Sequence, residues 1–148
     1  MRIHRERLVI TTGKSFDVID VTADVEKVLL ASGIEEGFVL VYSKHTTCGV
    51  VINEKETGLL SDIHKALCEI VPEHGAYLHN DWNVRTENMQ EDETPNAHAH
   101  IRHLLAGRSS ECVPVNAGSL DLGIWQRIMV VEFDRARNRE ILIQVSGI

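Results

Sequence analysis

Apolar residues recur in this chain with two periods, and the alternation between them predicts its elements. Ile3 to Ile10 alternates apolar with charged positions, and Phe16 to Val21 does so again after the turn TTGKS, which predicts a two-stranded hairpin. From Thr22, a capping residue, the period lengthens. Val25, Val28, Leu29 and Ala31 form a helical stripe, and Gly33 is placed to end it. Two buried strands are expected at Phe38–Tyr42 and Gly49–Asn53. A second helix is expected from about Glu56 to Ile70, carried by Leu59, Leu60, Ile63, Leu67 and Ile70 and stopped by Pro72. Residues 73–95 show no period, and a loop of that length in a compact domain is usually functional or disordered. Asn96 then caps a helix that runs to Ala106. Strands follow at Glu111–Val115, Ile128–Phe133 and Glu140–Val145, the last two joined by DRARN. The order ββ-α-ββ-α-loop-α-βββ has hairpins where a parallel fold would have βαβ units, so it predicts an α+β domain with a mostly antiparallel sheet and helices packed on it.

A length of 148 residues suits one domain over 1–148, large enough to bury a core without disulfides. With 43% hydrophobic and 25% charged residues the composition is that of a soluble globular protein. The net charge of −7 argues against nucleic acid as a partner, because that binding runs on basic surface. No apolar run reaches the length of a membrane span. The three cysteines, Cys48, Cys68 and Cys112, are widely spaced, and the opening MRIHRERLVI has no apolar leader. Both features lead to the expectation of a reducing, cytoplasmic setting.

Candidate chemistry concentrates on histidine. Four of the eight histidines lie between His79 and His103, and His45 sits apart in KHTTCGV. At about 100° per residue, the helix from Asn96 puts His98 and His100 at opposite edges of its apolar face and turns Arg102 and His103 outward. An i,i+4 histidine pair is missing. A metal ion would therefore have to be gripped by His45 from the turn, His79 from the loop and His100 from the helix, with an open fourth position. Asn80 or Asp81 could fix a ligand ring from behind. Lys44, Thr46 and Thr47 could present donors to an anion, and Arg108 with Ser109 offers a second cation-and-hydroxyl pair suited to phosphate. Asp121 is either a turn residue or a carboxylate in a pocket. Trp125 is either core or a wall for a flat ring. Glu132 interrupts MVVEFD and either faces solvent or points into a site. Cys48 reads as a small core residue. The acidic run from Glu87 to Glu93 reads as a solvated loop, with a lid as the alternative.

The segments SKHTTCGVVINE, HNDW, NAHAHIRHLLAGRSS, GSLDLGIWQRIMVVEFD and ILIQVSG, in this order, resemble the YjbQ-like family, also called the secondary thiamine-phosphate synthase family. The resemblance spans nearly the whole chain. It implies a mostly antiparallel sandwich with two to three packed helices, a homotrimer, and a histidine-rich site that takes a divalent metal (zinc or magnesium) or an anion. It assigns His45 to the family's HTT motif, Asn53 and Glu54 to its NE pair, His79 and Asn80 to its HN pair, Asn96 and His100 to its third-helix motif, and Asp121, Gly123, Trp125 and Gln126 to LDLGTWQ. Cys48, His98 and Ile124 depart from the family pattern.

The activity the resemblance implies joins a hydroxymethylpyrimidine pyrophosphate to a thiazole phosphate with release of pyrophosphate. In that scheme Lys44, Arg108 or Arg102 would offset the leaving group's charge beside the metal, Trp125 would stack on the pyrimidine, and Asp121 or Glu132 would bind its amino group. Metal-dependent hydrolysis of a phosphorylated small molecule and non-catalytic, trimeric metabolite binding are the alternative readings.

Overall fold

The computed structural model describes residues Met1–Ile148. The chain runs β1 (Arg2–Thr11), β2 (Asp17–Asp20), α1 (Thr22–Ser32), β3 (Gly37–Ser43), β4 (Cys48–Asn53), α2 (Thr57–Ile70), a 3-10 turn (Leu78–Asn80), α3 (Ala97–Ala106), β5 (Ser110–Asn116), β6 (Ser119–Leu120), β7 (Arg127–Glu132) and β8 (Asn138–Gly147). The strands form two antiparallel sheets, ordered β1-β8-β3-β5-β6 and β2-β7-β4. The fold is α+β, as the periodicity predicts.

Alternation along the strands sorts the residues into layers. Val39, Val41, Ile141, Ile143 and Val145 of the large sheet face Cys48, Val50, Ile128 and Val130 of the small one, and α1 adds Val25, Val28 and Leu29 to the same core. The other face of the small sheet, with Val131 and then Phe133, packs on Leu67 of α2 and Ala99 of α3. The large sheet's outer face, which carries Phe38 and Tyr42, stays exposed.

The helix ends follow their sequence cues in part. Gly33 adopts φ 60° and closes α1 onto the Leu30 carbonyl. The Glu56 carboxylate accepts from the Gly58 and Leu59 amides, and those bonds hold its pKa below the usual carboxylate value. Arg102 departs from expectation. It is not turned outward but is 1% exposed, and its Nε and Nη2 donate to the Val71 carbonyl at the end of α2. A long stem buries well under a neighbouring helix, and its guanidinium complements the negative helix terminus.

The expected hairpins at Phe16 and at DRARN do not form. β1 pairs with β8 in one sheet and β2 with β7 in the other. The hairpin that does form, β5–β6, turns on Ala117 (φ 49°) and Gly118 (φ 72°). Residues 12–16, 44–47 and 133–137 each cross between sheets at the same end of the sandwich. Glu132 and Arg139 pin these crossings together. Arg139 donates from Nε and Nη2 to the two Glu132 oxygens at 2.6 Å and from Nη2 to Thr47 Oγ1 at 3.0 Å. Thr12 Oγ1 donates to Glu132 from the first crossing, and the Asp134 amide donates from the third.

Candidate functional site

A hollow of about 400 Å³ opens at this end of the sandwich, and none of its lining residues is hydrophobic. The 44–47 crossing contributes Thr46. The long loop contributes His79, Arg85 and Glu93, α3 contributes Asn96 and His100, and the last crossing contributes Arg135 and Arg137.

The loop is held to α3 by an exchange of roles between two asparagines. Asn96 occupies the cap position of α3 but makes no side-chain capping bond. Instead Asn80 Oδ1 accepts from the Asn96 amide at 3.1 Å and the Ala97 amide at 3.0 Å. That bond fixes the neighbouring His79 over the first turn of the helix, where its ring meets His100 edge-on with centroids 4.8 Å apart. Asn80 is thus spent on the helix, and Asp81 on the Asn83 amide and side chain, so neither orients a histidine from behind. Replacing Asn80 with Ala removes a cap from outside the helix. The expected cost is about 1 kcal/mol of stability, with loss of the His79–His100 contact, read by chemical denaturation and by the histidine ring resonances.

Charge in the hollow is arranged unevenly. Arg85 donates from Nη1 to Glu93 Oε1, and this bond holds the Glu93 carboxyl below its ordinary pKa. His79 Nε2 lies 3.7 Å from the same carboxylate. The acidic run is therefore tied down over the site at Glu93. Arg137 reaches Asp134 at 3.1 Å. Asn96 is 8% exposed; its Nδ2 donates to Asp134, while its Oδ1 has no partner in the chain. Arg135 is exposed at the rim.

Burial lowers the pKa of His100, and the neighbouring His79 lowers it further. Burial is also the leading cause of the lowered values at His45, His64, His98 and His103. Each of these rings binds a proton more weakly in the folded state than in the unfolded chain. Their contribution is complete above the ordinary value of 6.5 and is lost as pH falls through 6.5 toward the lowered folded values. Melting temperature is expected to drop between about pH 7.5 and about pH 5.5. A profile flat across that window would contradict the buried neutral rings.

The residues singled out in the sequence divide sharply. His79, His100 and Thr46 line the hollow. His45 does not; its Nε2 accepts from the Glu140 amide at 3.2 Å. Lys44 pairs with Glu140, and Thr47 is buried against Arg139. Glu132 faces neither solvent nor the hollow, being 0% exposed inside the Arg139 fork. The nearby Cys48 thiol is pushed up to about 12 by burial and by Glu132, which rules out a thiolate nucleophile at neutral pH. Arg108 and Ser109 follow α3 on a strand-like segment beside β4, away from the histidines; Val50 bridges to Arg108. Asp121 is exposed and Trp125 is 67% exposed. Both lie at the opposite end of the sheets, beyond β6 and before β7, roughly 20 Å away by strand length. Glu93 ends the acidic run read as a solvated loop or a lid, but Arg85, Arg135 and Arg137 were not singled out. Their only sequence signal was two arginines in a turn between strands and one arginine ahead of an acidic run.

One chain does not assemble a three-histidine metal site. No group of three or more His, Cys, Asp and Glu side chains is placed to hold an ion. His79 and His100 supply two imidazoles, and the Glu93 carboxylate beside His79 is engaged by Arg85.

Comparison with known proteins identifies the class. The model of the family described as UPF0047 protein YjbQ-like matches residues 6–148. A UPF0047 protein of Methanothermobacter thermautotrophicus is 40% identical over 147 residues, covering 99% of this chain and 94% of that one. The UPF0047 protein YugU of Bacillus subtilis is 33% identical and covers 95% and 97%. Among solved structures, a YbjQ-like protein of unknown function from Sulfolobus solfataricus superposes with a TM-score of 0.87 at 30% identity, covering 99% of each chain. A YjbQ/UPF0047-family protein from Clostridium acetobutylicum gives 0.83 at 31%, covering 95% and 99%. The chain belongs to the YjbQ-like UPF0047 family. No helix in it is long and apolar enough to cross a membrane.

Proposed function

We propose that the histidine–arginine hollow binds a phosphorylated small molecule and assists departure of its pyrophosphate, as in thiamine-phosphate synthesis. One observation carries this reading: an entirely polar hollow of about 400 Å³ in which two histidines and three arginines converge. Arg135 and Arg137 would take phosphate oxygens with their planar forks. Asn96 Oδ1, nearly buried and unpartnered, awaits a donor from the ligand. The neutral His100 ring offers one donor and one acceptor at no charge cost. In the proposed reaction the methylene–oxygen bond breaks with its electron pair leaving on pyrophosphate, and the thiazole ring nitrogen bonds to the methylene carbon. The arginines offset the charge that develops on the leaving oxygen.

Asp121 and Trp125 belong to this scheme only across a subunit boundary, since their own chain holds them at the far end. That separation, with the uncovered apolar residues Phe38 and Tyr42, supports the homotrimer the resemblance implies. A zinc or magnesium ion is likewise part of the scheme only with a ligand from another subunit. We propose a cytoplasmic setting on the three free cysteines.

Purified protein is expected to form thiamine phosphate and pyrophosphate when given both halves, and the His100→Ala variant to lose turnover while remaining folded. Consumption of the pyrophosphate substrate alone would favour a hydrolase. Thermal stabilisation without turnover would favour a binding protein. Elemental analysis of wild type and His79→Ala tests the metal separately.

A further inference from the structure

A second cavity lies on the outer face of the small sheet, beneath α2, and shares no lining residue with the hollow. It measures about 250 Å³, and ten of its thirteen lining residues are hydrophobic. Met129 and Val131 of β7 form its floor, and Leu60 and Ile63 of α2 its roof. It exists because α2 stands off the sheet. Of the five apolar residues in the α2 stripe only Leu67 is buried, and Leu60 and Ile63 near the N-terminal half are only partly so. Protein interiors leave few voids larger than a water molecule, and an engineered apolar cavity of about 150 Å³ stays dry and takes up benzene. A larger one therefore has room for a ring or a short alkyl chain. Phe16 walls one end, and His64 stacks flat on it with centroids 4.8 Å apart and planes 2° from parallel.

The polar lining is confined to Asn53, Arg108 and Glu111. Arg108 is mounted rigidly, because its carbonyl accepts from the Val50 amide at 2.7 Å on the strand beside the cavity. Its guanidinium is 74% exposed and approaches Glu111 at 3.5 Å through Nε alone. The remaining N–H donors of the fork stay open to a second acceptor.

We propose that this cavity binds a small monocarboxylate with an apolar body, an aryl-alkyl or medium-chain acid, with the hydrocarbon under α2 and the carboxylate on Arg108. The site is independent of the histidine hollow. The test uses 3-phenylpropionate, with the corresponding alcohol and amine as comparisons, followed by calorimetry and by methyl resonances of the intact protein. The acid is expected to bind most tightly and to shift methyl signals of Leu60, Ile63 and Val131. Arg108→Gln is expected to weaken the acid about tenfold and to leave the alcohol unchanged. Ile63→Trp fills the cavity and is expected to abolish both. Leu60→Phe, a milder filling, does the same if the tryptophan variant fails to fold. Unchanged binding in a folded filling variant, methyl shifts confined to other regions, or equal binding of acid and amine would overturn the proposal.

Discussion

Glu132→Gln is expected to destabilise the protein by about 3–5 kcal/mol, because it leaves the Arg139 guanidinium buried without a counter-charge. Arg139 is 3% exposed, and its fork spans both oxygens of a fully buried carboxylate. The loss is read by chemical denaturation at constant pH. The pair itself is a different quantity from the cost of breaking it. Replacing both partners together, Glu132→Leu with Arg139→Met, removes the orphaned charge and is expected to recover most of the stability. Thr47 would then lose the partner of its hydroxyl, and Thr12 would keep only its bonds to the Arg137 backbone, so recovery is incomplete. A loss below about 1 kcal/mol in the single variant would mean that the fork does not hold the three crossings together.

Arg135→Ala combined with Arg137→Ala is expected to weaken phosphate or pyrophosphate binding by at least about 100-fold, at about 1.5–3 kcal/mol for each charge-assisted hydrogen bond removed. Arg135 alone is the cleaner probe, since Arg137 also pairs with Asp134. Calorimetry with pyrophosphate checks this, with thermal unfolding as the measure of fold integrity. The Arg108→Gln variant, away from the hollow, is expected to bind pyrophosphate as wild type does. If Arg108→Gln weakens pyrophosphate and the double variant does not, the phosphate site has been put in the wrong cavity.

The sequence made faces legible but not partners. Val39, Val41, Ile141 and Ile143 announce a buried strand face through their alternation, and Gly33 announces the end of α1. Alternation says nothing about which strand lies alongside, so Phe16–Val21 reads as the return arm of a hairpin when it belongs to the other sheet. Two of the histidines that meet, His79 and His100, were legible because a loop and a helix start both carried polar residues without a structural excuse. The arginines of the hollow were not. Arg135 and Arg137 occupy a turn whose polarity solvent exposure alone would explain, and Arg85 is drawn inward by Glu93, eight residues on, and by the His79, Glu87 and Asn88 carbonyls of its own loop. Glu132 failed differently. A carboxylate within an apolar strand reads as surface or site until its counter-ion is found, and Arg139 lies on a strand of the opposite sheet.

The pairing of β1 with β8 has a consequence for the order in which the protein can be made. β1 has one neighbour only, and that neighbour begins 127 residues after Thr11. At about 5–20 residues per second, β1 waits on the order of ten seconds for its partner. Its Ile10 and Leu8 remain without the sheet that covers them for that time. The hollow depends on the same late event, since Arg135 and Arg137 lie just ahead of β8. Ligand cannot guide the early stages of this fold, and a chaperone that shields an apolar edge strand has its longest opportunity here.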